Sequence, residues 1–283
     1  MDTITLGGIE ITRVVERHGD FGPLRTILPG LPDPAPDWLA PAHHDPATGG
    51  MLAAAQTWVL RSGGRTILVD TGVGNDRERP NPLFSGWRTD FLERLTTVVD
   101  PADVDVVINT HVHADHVGWN TKADNGEWAP TFPNATYLIP RADVEHFKGT
   151  AVHDDAVQPV IDAGLATLWE NGFRVDENLE LEAAPGHTPG SALLRLRSGT
   201  DRAVFVGDLL HSPFQVTDPL CNSVFCLDED QARATRLRVL GRAADEGELV
   251  VPAHFAGPGA VEVEASGGTF AIKGWAGFPP IDS

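Results

Sequence analysis

Apolar and polar residues alternate along this chain with two periods, and the switches between them divide it into elements. Ile4 to Val15 alternates loosely on either side of Gly7-Gly8, which predicts a pair of short strands. Gln56-Thr57-Trp58-Val59-Leu60 and Arg65-Thr66-Ile67-Leu68-Val69-Asp70 flank Ser62-Gly63-Gly64, a hairpin signal. Trp87, Phe91, Leu92, Leu95 and Val98 recur at helical spacing. Residues 104–110, β-branched and apolar after Pro101, read as a buried strand. A short strand is expected over 135–139 and a helix opening over 141–148, whereas 158–164 follows neither period. Strands are predicted over 179–184, 191–196 and 203–206. Asp228 then caps a helix to Ala244, with Glu229 and Asp230 in its first turn. A strand at 249–251 and a hairpin around Ser266-Gly267-Gly268 close the chain.

One region interrupts this order. Between 18 and 50 stand seven prolines, Pro23, Pro29, Pro32, Pro34, Pro36, Pro41 and Pro46. Proline removes a backbone donor and fixes φ, so neither ladder nor helix is expected there. Phe21, Leu24, Ile27, Leu28, Leu31, Trp38 and Leu39 are too apolar for a solvated linker. The expectation is an ordered arm, packed over the rest of the chain or against a second subunit, which leaves a homodimer open. Strands and helices alternate without a short internal repeat, so one α/β domain over 1–283 is expected.

Composition narrows the partners. The 283 residues carry a formal charge of −19, which repels phosphate backbones and argues against nucleic acid. No run approaches the roughly 18 apolar residues of a membrane span. Met1-Asp2-Thr3-Ile4 lacks the pattern of a secretory peptide, so a cytoplasmic location is expected. Cys221 and Cys226 are read as buried or pocket-wall thiols rather than metal ligands.

The candidate chemistry lies in His111-Val112-His113-Ala114-Asp115-His116, three imidazoles and a carboxylate within six residues at the end of a strand. Such a cluster gains nothing from burial unless a cation sits among its donors, and imidazole plus carboxylate is a set that zinc accepts. His187 in Pro185-Gly186-His187-Thr188-Pro189-Gly190-Ser191, Asp208 after Phe205-Val206-Gly207, and His254 after Val250-Val251-Pro252-Ala253 repeat one design: an apolar strand, a small or turn residue, then a ligand type.

In these motifs, and in the Val69-Asp70-Thr71-Gly72 turn, the chain resembles the metallo-β-lactamase superfamily of hydrolases. The resemblance spans residues 70 to 254 with the motifs in order. It implies a four-layer αβ/βα sandwich, two mixed β-sheets flanked by helices. It also implies two metal centres, His111, His113 and His187 at one, Asp115, His116 and His254 at the other, with Asp208 bridging. His111 and His113 alternate on an extended backbone and so point the same way, which agrees with that division. Asp70 is read as a turn carboxylate that bonds local backbone or orients a ligand imidazole. His211 is read as a surface-loop residue, with contact to the site as its alternative. His18, His43, His44, His146 and His153 are read as surface or packing residues, although an arm folded over the site would deliver His43 or His44.

The expected function is a hydrolase with two divalent ions, zinc first, with manganese, iron or cobalt as alternatives. The expected reaction is attack of a metal-bridging hydroxide on a lactone or carboxylic ester, with Asp115 handling the proton. The alternative electrophile is a phosphotriester or phosphodiester; thioesterase, β-lactamase and redox roles rank lower. The lactonase and organophosphate-hydrolase branch is closest in appearance, with its proline-rich arm and its late helix before Ala253-His254. Quorum-signal lactonases commonly place a tyrosine near the metals, and the single tyrosine here, Tyr137, falls inside a strand. Phe84, Trp87, Trp119, Phe214 and Phe225 are core residues with an apolar pocket as their second reading. Arg233, Arg236, Arg238 and Arg242 are read as a solvated helix face.

Overall fold

The computed structural model describes residues 2–279 and 281. Its strands form two large sheets. The first comprises β1 (Thr3–Leu6), β2 (Ile9–Pro23), β3 (His44–Asp45), β4 (Gly50–Ser62), β5 (Arg65–Val69), β6 (Val106–Ile108), β9 (Thr136–Pro140) and β10 (Ala166–Trp169). Their order is β1-β2-β4-β5-β6-β9-β10, with β3 against β4. Pairing is antiparallel as far as β5 and parallel beyond it. A separate hairpin, β7 (Thr121–Asp124) and β8 (Glu127–Pro130), lies between β6 and β9 in sequence. The second sheet runs in chain order through β11 (Phe173–Arg174), β12 (Leu179–Ala183), β13 (Ala192–Ser198), β14 (Asp201–Gly207), β15 (Leu249–Pro252), β16 (Val261–Ser266) and β17 (Thr269–Trp275). Among the described residues of this sheet only β14 and β15 pair in parallel, because a helix connects them.

The alternation within each strand builds the layers. Ile11, Trp58, Leu60, Ile67 and Ile108 from the first sheet meet Leu181, Leu194, Phe205 and Val251 from the second in a shared core. On the first sheet's other face, Leu68, Val107, Tyr137 and Ile139 pack under the helices α2 (Phe91–Thr96), α3 (Arg141–His146) and α4 (Gln158–Asp162). On the second sheet's other face, Leu193, Val204 and Val250 receive Val239, Leu240 and Ala243 of α6 (Glu229–Glu246). The result is helices, sheet, sheet, helices. Asp228 accepts from Gln231 N–H at 2.9 Å and starts α6, and Gly247 ends it at φ 65°.

Residues 18–50 depart from expectation, since part of this arm is ladder and part is helix. β2 pairs with β4 as far as Pro23 opposite Gly50, with two bulges. The first strand covers only Ile9–Thr12, so the rest of β2 has a free edge where proline's missing donor is tolerated. Leu24–Ile27 then makes the helical turn α1 before the denser prolines begin. Phe21, Leu24, Ile27, Leu28, Leu31 and Leu39 are buried within the chain itself, against Met51, Trp87 and α5 (Phe214–Thr217). Trp87 belongs to this cluster rather than to a helix, so α2 is shorter than its periodic pattern. The segment 158–164, left unassigned from its periodicity, carries α4, which continues directly from a π-helix, His153–Val157. Arg236 is a further correction: it is fully buried, donating to the carbonyls of Leu209 (2.9 Å) and Pro219 (2.7 Å). No helix among the described residues is long and apolar enough to cross a membrane.

Candidate metal centre

The seven residues singled out in the sequence converge at the ends of strands from both sheets. Donor atoms of His111, His113, His187 and Asp208 lie within 4.8 Å of one another, and so do those of Asp115, His116 and His254. Within the first group, His113 Nδ1 is 3.1 Å from His111 Nε2 and 2.9 Å from His187 Nε2. Within the second, His116 Nε2 is 3.2 Å from His254 Nε2, and Asp115 Oδ2 is 3.4 Å from that same nitrogen. Asp208 faces both. Its Oδ2 is 3.3 Å from His187 Nε2 and 3.8 Å from His111 Nε2, while its Oδ1 is 3.1 Å from His116 Nε2 and 3.0 Å from His254 Nε2.

These separations suit cations. Tetrahedral ligands about 2.0–2.1 Å from zinc stand roughly 3.3 Å apart. Facing imidazole nitrogens cannot all satisfy one another, because each pair shares at most one proton. Asp208 Oδ1 is buried without a hydrogen-bond partner among the described residues. Convergent lone pairs and an unpartnered carboxylate oxygen therefore fit a pair of divalent ions.

Four of the five imidazoles are held from behind, each in a different way. Asp70 Oδ2 lies 2.8 Å from His116 Nδ1, and the same carboxylate accepts from Thr110 N–H and Thr110 Oγ1, both at 2.8 Å. His254 Nδ1 donates to the Ala54 carbonyl at 2.9 Å. His111 Nδ1 is 3.1 Å from Thr110 Oγ1. His187 Nδ1 has the Cys226 sulfur at 4.0 Å. Asp70 itself takes φ 56°, a left-handed conformation that aspartate tolerates. Gly207 permits the approach of Asp208, since a Cβ there would stand 2.7 Å from Thr110 Oγ1.

Electrostatics divide the two groups. Burial holds His111 and His187 well below their ordinary range and brings His113 to about 4. Burial acts the same way on His116 and His254, but there Asp208 and its neighbouring carboxylates override it. They raise His116 well above its ordinary value and His254 to about 9. Asp208 stays ionised despite burial because the surrounding imidazoles favour its charge.

Two further residues complete the centre, one that the sequence reading did not single out and one for which site contact was the alternative reading. Asp143, fully buried, accepts from Val112 N–H (2.9 Å), Gly190 N–H (2.6 Å) and Thr188 Oγ1 (2.8 Å). It thereby joins the loop of His111 and His113 to the loop of His187. Its signal was hidden in an ordinary helix start. His211 is the other: it lies on the wall of the site and not on the surface, with Nε2 3.3 Å from Asp208 Oδ2.

A cavity of about 320 Å³ opens over the centre. Phe84 and Phe225 line it, and so do Phe21 and Ile27 of the arm with Phe147 and Val152. Trp119 stacks on Phe91 instead, and Trp87 and Phe214 are core. The arm does not deliver His43, which stacks on Trp275. Tyr137 is buried among Asn120 and Phe132. Arg79 is the cationic side chain of the wall, and Asp155 of the π-helix holds it at 2.6 and 2.8 Å.

Two sheets between helices, with a polyhistidine and aspartate cluster at their strand ends, define a class of metal-dependent hydrolases. Residues 52–254 match the family described as the metallo-beta-lactamase superfamily, and the chain belongs to it. An N-acyl homoserine lactonase of Bacillus cereus is 25% identical over 167 residues, 53% of this chain and 62% of that protein. The chain spans about half the length of the curated relatives it matches. Among solved structures, the hydrolase AbOPH of the beta-lactamase superfamily aligns with a TM-score of 0.79 at 20% identity, covering 99% of this chain and 97% of that one. AidC, a dizinc quorum-quenching lactonase in complex with a product, aligns at 0.72 and 21% identity, covering 95% of each. These structures share the fold.

Proposed function

We propose that this chain is a dinuclear metal-dependent hydrolase of lactones or carboxylic esters. One observation carries the reading: the two oxygens of Asp208 face different sets of donors, an arrangement in which one carboxylate would serve two cations. His111, His113, His187 and Asp208 would hold one ion; Asp115, His116, His254 and Asp208 the other. When bound, such ions acidify water and polarise an acyl oxygen.

The chain's own residues do the rest. Asp70 and the Ala54 carbonyl turn His116 and His254 so that Nε2 faces inward. Asp115 lines the cavity and is placed to take a proton from the water and return it to the departing alkoxide. The phenylalanines and aliphatic side chains exclude water and receive an apolar substituent. Because Asp155 already occupies Arg79, the wall offers little to an anionic phosphodiester. A neutral phosphotriester fits the same cavity and is the second reading.

Hydrolysis of γ-lactones, aryl esters and an aryl phosphotriester, before and after chelation, tests the assignment. The expected result is two metal equivalents per chain, activity on a lactone or ester, loss on chelation and recovery with zinc or manganese. Turnover that survives complete demetallation overturns it, and a faster phosphotriester rate favours the second reading.

A further inference from the structure

We propose that His211 contacts the substrate, donating a hydrogen bond from its ring to the acyl oxygen as negative charge develops there; this rests on the hydrolase reading. The residue is 4% exposed, and among the described residues neither Nδ1 nor Nε2 has a hydrogen-bond partner. A buried imidazole without partners forfeits its hydrogen bonds to water unless a third group completes it. Nε2 lies 3.3 Å from Asp208 Oδ2 but out of alignment for a hydrogen bond, and that oxygen already faces His187 and His111. The ring lines the cavity, so the group that completes it arrives through the cavity.

The ring is also fixed in advance. Gln215 Oε1 accepts from the His211 backbone N–H at 2.7 Å, and Gln215 Nε2 donates to the Cys221 carbonyl at 2.9 Å. Phe225 lies against one side, its centroid 5.8 Å away, and His187 lies 5.1 Å away. A donor held this way costs no reorganisation when charge appears on the substrate. An imidazole has an N–H to give whether neutral or protonated.

In the hydrolysis, the water oxygen bonds to the acyl carbon while the carbonyl electron pair moves onto the acyl oxygen, where His211 meets it. That pair returns as the carbon–oxygen bond to the alcohol breaks, and the water's proton passes through Asp115 to the alkoxide. His211 and Asp115 thus serve different oxygens.

His211→Leu and His211→Asn, assayed on esters of one apolar acid with alcohols from nitrophenol to simple alkyl, test the division. For His211→Leu we expect kcat to fall about 100-fold, the size of one lost oxyanion donor. The factor should be equal along the series, with KM within about twofold. His211→Asn, which keeps an N–H donor, should recover part of the loss and decides the matter if the leucine variant does not fold. Metal content and melting temperature should match the wild type. Unchanged kcat, loss of metal, or a loss confined to poor leaving groups overturns the proposal. An inactive wild type overturns the parent reading too, whereas an active wild type with an unimpaired His211→Leu overturns this inference alone.

Discussion

The two donor groups around Asp208 are built from the same residue types yet supported in opposite ways. At His116 and His254 the supports grip the rings: a carboxylate behind one Nδ1 and a carbonyl behind the other. At His111, His113 and His187 the supports grip the backbone, through Asp143, while a hydroxyl stands behind His111 and a distant sulfur behind His187. The charges differ too. Burial keeps the first three imidazoles neutral and ready to bind a cation, whereas carboxylates hold protons on the other two. One group is therefore prepared electrostatically and the other geometrically, and only Asp208 belongs to both.

Removing the shared charge should do the most damage. Asp208→Asn is expected to lower ester turnover by more than about 100-fold, beyond the range for a single outer support, and to release both ions. Retention of two equivalents by elemental analysis would show that the groups do not depend on it. Asp143→Ala strands three donors and should destabilise the fold by about 3 kcal/mol or more. Denaturant unfolding measures that loss, and chelator competition should show the first group's ion leaving first. Asp70→Asn should weaken the second group's ion by about 10–100-fold with little change in the first. If both ions weaken together, the two supports are not separate.

The mildest test uses pH. The raised values of His116 and His254 stabilise the chelated protein fully below pH 6.5, and that contribution is lost as pH rises through about 9. Metal uptake at this group must displace those protons, so its affinity should rise between pH 6.5 and 9, by at most about tenfold per unit for each proton. Uptake at His111, His113 and His187 should be flat over the same window, because these groups lie below it. Zinc titration against a chromophoric chelator distinguishes the two slopes.

Much of this arrangement was readable in the chain. The run at 111–116 declared itself because its donors are consecutive, and the later loops because each follows an apolar strand. The arm was half readable: its apolar content announced packing, but its prolines hid the free edge on which β2 continues. Asp143 and Arg236 were opaque, and His211 was legible only as an alternative to a surface role, for one reason. Asp143 acts on backbone 31 and 47 residues away, Arg236 on carbonyls 27 and 17 residues away, and His211 on a cavity assembled from both halves of the chain.

Local chemistry and period determined which side chains are donors, that each later one follows a strand, and that His111 and His113 point together, because neighbouring residues on an extended backbone have fixed relative directions. Tertiary structure alone decided that Asp208 turns one oxygen to each group, that Asp70 stands behind His116, and that the arm roofs the cavity. Those facts depend on which strand ends lie side by side, and strand order is set by hydrogen bonds and packing between residues far apart in the chain.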